Sequence, residues 1–222
     1  EWRTPFDPMK LNHGEHSGYD YTEGNAWQYT WHVQHDPEGL IKLIGGKEAA
    51  AEKLNTLFKL ESKVEGSGFV LDVSGLIGQY AHGNEPSHHT AYLFDFAGAP
   101  WRTQEIIREI FDTQYKNKPD GLCGNDDCGQ MSAWYILSAM GFYPFNPCND
   151  GYVFGAPQIG KVTLNLAKGK TFTVEAKGLS KENKYVQAIT LNGKPCTGIK
   201  IAHAEIMKGG ALVFEMGPQP RK

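Results

Sequence analysis

The hydrophobic period of this 222-residue chain changes near residue 150, from about 3.6 residues to 2. Upstream, apolar residues recur at helical spacing. Asp36-Pro37 opens a helix over Pro37–Leu43, with proline suited to a first turn. Gly45-Gly46 ends it. Ala49, Ala50, Leu54, Leu57 and Phe58 mark the next, over Lys47–Leu60. Glu85-Pro86-Ser87 opens a helix carrying Ala91, Tyr92, Phe94 and Phe96, and Pro100-Trp101 starts one with Ile106, Ile107, Ile110 and Phe111 on one face. Cys128–Met140 closes at Gly141, ahead of Pro144. A further helix is expected within Tyr21–Val33. Downstream, Lys161–Leu166, Thr171–Ala176, Tyr185–Leu191, Gly198–Ile201 and Ala211–Met216 read as short strands, and Leu191-Asn192-Gly193-Lys194 is a hairpin signal. The reading is a mainly α chain with a β-rich tail, divided into residues 1–150 and 151–222.

Composition narrows the function classes. The chain is 40% hydrophobic and 12% aromatic, which excludes a disordered polymer. Its net charge of -3, without Lys/Arg clusters, argues against nucleic acid or an anionic membrane as partner. No apolar run approaches the length of a membrane span. Cys123, Cys128, Cys148 and Cys196 are too sparse for a disulfide framework, and none forms a CxxC pair. The chain starts Glu1-Trp2-Arg3 without a leader, so the expectation is a processed protein or a piece of a longer one.

Three loop segments hold the unusual residues. In Tyr21–Trp31, Glu23 lies among two tyrosines and the tryptophans Trp27 and Trp31. Burial among aromatics raises a carboxyl pKa, as a general acid requires, and aromatic faces stack on sugars. The alternative is a capping Glu on an aromatic core helix. In Gly78–His89, Asn84 and Glu85 are hard oxygen ligands suited to Ca²⁺ at a helix start; the alternative is an ordinary cap. Zinc is the weaker metal, kept open by His32 and His35 at i, i+3, because adjacent His88 and His89 cannot reach one ion from a helix. In Asp120–Tyr135, Asp126 and Asp127 are paired carboxylates before a helix, poised to stay ionised and activate water; the alternative is a polar turn.

The strings EGNAWQYTW (Glu23–Trp31), GLIGQYAHGNEPSHH (Gly75–His89) and GLCGNDDCGQMSAWY (Gly121–Tyr135) together resemble family 92 glycoside hydrolases. Gly141-Phe142-Tyr143-Pro144, Leu191-Asn192-Gly193-Lys194 and Gly209-Gly210 extend the likeness, which runs from about residue 12 to the C-terminus. The resemblance implies a calcium-dependent exo-α-mannosidase that removes terminal mannose from mannosides and N-glycans with inversion. It implies Glu23 as acid, Asp127 as base assisted by Asp126, calcium on Asn84 and Glu85 with help from Asp127, and Trp27, Trp31 and His88 at the substrate. Inversion needs acid and base about 6.5–9.5 Å apart. The implied fold is part of an (α/α)6 six-hairpin barrel, its C-terminal half in residues 1–150, followed by a small antiparallel β region. An N-terminal portion of the same enzyme is the implied protein partner, and a periplasmic or secreted location the implied compartment. Cys123 departs from the proline that many relatives carry. A non-catalytic calcium-dependent mannose-binding module is the competing reading, disfavoured because a lectin needs no separate proton donor.

Overall fold

The computed structural model of the chain describes residues 6–10, 21–63, 65, 72–149 and 151–222. Its helices are α1 (Ala26–Tyr29), α2 (Pro37–Ile44), α3 (Lys47–Lys59), α4 (Leu93–Phe96), α5 (Pro100–Gln114), α6 (Gln130–Ala139) and α7 (His203–Met207). Its strands are β1 (Leu76–Ile77), β2 (Tyr80–Ala81), β3 (Phe142–Tyr143), β4 (Gly151–Phe154), β5 (Lys161–Asn165), β6 (Thr171–Lys177), β7 (Tyr185–Leu191), β8 (Lys194–Pro195), β9 (Lys200–Ala202) and β10 (Gly210–Gly217). Helices α2, α3 and α5 form where the helical periodicity places them, and α2 is capped as well. The Asp36 side chain accepts from Gly39 N at 2.9 Å, and Gly45 ends α2 in the left-handed region. In α5, Ile106, Ile107, Ile110 and Phe111 are all buried.

Two helical expectations fail. Residues 21–33 hold only the single turn α1, closed by Thr30. The expected helix from Glu85 to Phe96 is broken into the 3₁₀ turns Glu85–Ser87 and Thr90–Tyr92 followed by α4. Tertiary hydrogen bonds override local propensity there: His88 Nε2 donates to the His82 carbonyl at 2.9 Å, and His89 Nε2 to the Trp31 carbonyl at 2.6 Å.

The tail is a five-stranded sheet in the order β5-β6-β10-β7-β8, beside a three-stranded sheet β3-β4-β9. The five-stranded sheet is mixed rather than wholly antiparallel, because β6 and β10 run parallel. Alternation along a strand reports which face is buried but not the direction of the neighbour. The β7–β8 turn has positive φ at both Asn192 and Gly193, as a tight hairpin requires.

Two cores result. One gathers Trp31, Leu54, Phe58, Tyr80, Phe94, Ile107 and Trp134; the other gathers Met140, Phe142, Phe172, Leu212 and Phe214. Strand β4 serves both, since successive residues face opposite sides: Val153 packs into the first and Phe154 into the second. Among the described residues no helix is long and apolar enough to cross a membrane.

Candidate active site

The three loops meet over a floor of buried amides and imidazoles. Asn25 caps α1 in a reciprocal box with Gln28: Gln28 N donates to Asn25 Oδ1 at 3.2 Å, and Asn25 N to Gln28 Oε1 at 2.8 Å. Both side chains also reach Gln79, in the turn between β1 and β2. Asn25 Nδ2 donates to Gln79 Oε1 at 2.8 Å and Gln28 Nε2 to the Gln79 carbonyl at 3.1 Å. Gln79 in turn donates to the carbonyls of Glu61 and Lys63. One buried glutamine thus ties the Glu23 loop to the Asn84 loop. Asn84 adds a direct link, its Nδ2 donating to the Glu23 carbonyl at 2.9 Å.

Backbone strain concentrates at the same places. Among the described residues five non-glycines have positive φ, and three of them are Glu23 (51°), Asp127 (45°) and Cys128 (58°). Such conformations cost energy and persist only where surrounding contacts fix them. At Asp126 the cause is visible. Its carboxylate accepts from Ser132 N at 2.9 Å and its carbonyl from Met131 N at 3.2 Å, so it caps α6. The chain must then reverse through Asp127, Cys128 and Gly129, all left-handed, to enter the helix. Glycines let the loops touch. A Cβ on Gly83 would fall 2.1 Å from Ser74 Oγ, and one on Gly124 would fall 3.2 Å from Gly83 Cα.

The carboxylates crowd. Burial pushes the Glu85 carboxyl up, and the neighbouring carboxylates Asp127 and Asp72 push it further. Asn125 Nδ2 donates to Asp72 Oδ1 at 3.4 Å, which brings Asp72 against the Asp126–Asp127 loop. Carboxylates that raise one another in this way are relieved by a proton or by a cation. The neighbouring Asn84 has its amide N–H committed to Glu23, which leaves its oxygen for another partner. An all-oxygen set of this kind fits a hard cation such as Ca²⁺.

Among the described residues the histidines are engaged elsewhere and gather into no zinc site. His82 bonds Tyr80 and Tyr115 through its two ring nitrogens, His88 bonds the His82 carbonyl and Gln130, and His89 bonds Trp31. His32 packs against Tyr29 with its ring tilted by 43°, and His35 is exposed. Among the described residues no three His, Cys, Asp or Glu side chains group closely enough to hold an ion by themselves.

Placement of the expected residues follows. Glu23 and Glu85 are half-buried, Asp126 and Asp127 are exposed, and Asn84 is buried beneath them. Trp31 and His88 are each 1% exposed, so neither presents a ring to a ligand. Trp27 is half-buried with Lys53 Nζ 5.0 Å over its ring. Tyr29 rather than a tryptophan braces the Glu23 turn: it hydrogen-bonds both the amide and the carbonyl of Thr22. Sequence reading missed Gln79, Gln28, Gln130, Tyr115 and Asp72. Gln79 and Gln130 lie inside the strings quoted above, yet no spacing marks them as supports.

The chain has relatives among solved and curated proteins. A family 92 α-mannosidase of Bacteroides thetaiotaomicron, solved in complex with mannoimidazole, superposes with a TM-score of 0.91 and 41% identity, covering 100% of this chain and 29% of that one. An inverting family 92 mannosidase of the same organism gives 0.83 and 38%, covering 99% and 30%. An uncharacterized secreted glycosidase of Arthroderma benhamiae is 29% identical over 200 residues, 89% of this chain and 24% of the relative. The chain therefore spans less than a third of the length of each. Its residues 1–218 match the glycosyl hydrolase family 92 catalytic domain, and the chain belongs to that family.

Proposed function

We propose that the three converging loops form the catalytic centre of an inverting, calcium-dependent exo-α-mannosidase acting on terminal α-linked mannose, as in mannosides and N-glycans. The observation that carries this reading is the bond from Asn84 Nδ2 to the Glu23 carbonyl at 2.9 Å, which joins the Glu23 turn to the loop that holds Glu85, with Asp127 near enough to raise the Glu85 carboxyl. A proton donor, a second carboxylate and a cation-binding oxygen set then stand on one platform, which a sugar-binding module would not need. The names of the two bacterial relatives support the substrate class.

Glu23 protonates the departing glycosidic oxygen, and Asp127 takes a proton from the water that attacks the anomeric carbon from the opposite face. Asp126 fixes the Asp127 loop through its bonds to α6. Asn84 and Glu85, with Asp127, would hold calcium. That ion, when bound, supplies charge that engages the mannose hydroxyls and favours an oxocarbenium-like geometry. Trp27 lines the sugar pocket, while Trp31 and His88 support it from within. Helices α2 to α6 belong to an (α/α)6 barrel wall in this reading, and the protein works in the periplasm or outside the cell, in keeping with the secreted relative.

The test is Glu23→Gln. Turnover of an α-mannobioside falls by about 10²–10⁴-fold while mannose binding by calorimetry is retained. Full activity in the variant removes Glu23 from the acid role.

A further inference from the structure

Beneath the exposed carboxylates runs a chain of hydrogen bonds whose direction is fixed. The Tyr115 hydroxyl lies 3.1 Å from the Met131 carbonyl, which can only accept, so the Tyr115 proton is used there. The Tyr115 oxygen, 2.7 Å from His82 Nε2, must then accept from that nitrogen. A neutral His82 has no hydrogen left for Nδ1, which accepts from the Tyr80 hydroxyl at 2.8 Å. His82 is fully buried, with the Trp134 ring edge-on at 4.5 Å between centroids.

The two ends of this chain are the two carboxylate loops. His82 is followed by Gly83 and then Asn84-Glu85, and its own carbonyl is held by His88. Met131 lies in the first turn of α6, where it and Ser132 donate their amides to Asp126. A second tie runs alongside, Gln130 Nε2 donating to His88 Nδ1 at 3.1 Å. Every polar atom along the route has a partner, so sliding one loop against the other would strand buried groups.

We propose that Tyr80, His82 and Tyr115 form a rigid strut setting the spacing between the Asn84–Glu85 loop and the Asp126–Asp127 loop, with His82 and Tyr115 as positioning residues. The proposal rests on those loops being catalytic. It uses no proton transfer through the strut: His82 stays in one tautomer and acts through geometry.

The experiment compares Tyr115→Phe, His82→Gln and, as a control in the same core, Val153→Ala. Tyr115→Phe removes both bonds of the hydroxyl and keeps the ring, which is stacked on Trp134. The expected result is a kcat loss of about tenfold or more with KM within about threefold, as for an interaction felt in the transition state. His82→Gln, whose amide both donates and accepts, recovers kcat to within about threefold of wild type. Val153→Ala, with equal or greater loss of Tm, keeps kcat within about twofold. Wild-type kcat in Tyr115→Phe, or an equal kcat loss in Val153→Ala at matched Tm, overturns the strut. If the wild type releases no mannose, the functional reading fails and amide exchange decides the strut. Exchange at Met131 and Ser132 about tenfold faster in Tyr115→Phe supports it, and unchanged exchange overturns it.

Discussion

Asn84 reaches across 61 residues of sequence to place its side-chain amide on the main-chain carbonyl of Glu23, at 2.9 Å. One buried residue thereby serves two candidate functions. Its N–H holds the left-handed turn that presents the candidate acid, and its oxygen remains for the candidate cation.

The two functions separate on substitution. Asn84→Asp keeps an oxygen ligand and loses the donor, placing a carboxylate against a carbonyl. Terbium luminescence, a probe for the calcium site, is expected to persist while kcat falls about tenfold or more. Asn84→Ala is expected to lose both. Equal loss of metal binding in the two variants would contradict the assignment.

Asp126 and Asp127 are adjacent yet differ in role. Asp126 caps α6, so Asp126→Ala should cost about 1 kcal/mol of stability by thermal melting. Asp127 has positive φ and crowds Glu85, so Asp127→Gly relieves strain and repulsion and should be at least as stable as wild type, with turnover abolished. A stable, active Asp127→Gly would remove Asp127 from the base role.

Loop contact through Gly83 gives a test by compensation. Gly83→Ala places a methyl 2.1 Å from Ser74 Oγ and should cost about 1–3 kcal/mol. Among the described residues buried Ser74 Oγ has no hydrogen-bond partner, so Ser74→Ala alone should be close to neutral. Together the two changes should be less damaging than Gly83→Ala alone, since the next contact is the Asp72 carbonyl at 3.1 Å. Additive losses would contradict the packing described.

Acid should loosen the floor of the site. Burial lowers His88 and His89 to about 4, and the unfolded chain binds those protons near 6.5. Stability supplied by the neutral rings is present above about 6.5, falls as pH drops below it, and is lost by about 4. The scale is on the order of 3 kcal/mol per histidine. Buried Asp95, whose carboxyl is pushed well up by desolvation, acts in the opposite sense, losing stability as pH rises from its unfolded value. Melts between pH 7.5 and 4 in Asp95→Asn isolate the histidine effect. A flat Tm over that range would contradict it.

Legibility in the sequence followed the range of the interaction. Helices α2, α3 and α5 declare themselves through buried stripes, helped by the Asp36 cap of α2 and the first-turn Pro100 of α5, all local. The break between Glu85 and Phe96 does not, because His88 and His89 are held by carbonyls at His82 and Trp31. Parallel pairing of β6 with β10 was invisible for the same reason, since a period of two is blind to strand direction. At the site, Glu23, Asn84, Glu85, Asp126 and Asp127 stand out as polar groups in glycine-bounded loops. Gln79, Tyr115 and Asp72 act only through partners distant in sequence, and only the fold identifies them.

Chelation tests the central claim most directly. Mannose released from α-1,2-mannobiose by the full chain is measured in calcium, after a chelator, and after calcium is restored. Release is expected to be lost on chelation and to return with calcium. Release that is indifferent to the chelator, or cleavage of other glycosides but no α-mannoside, would contradict the claim.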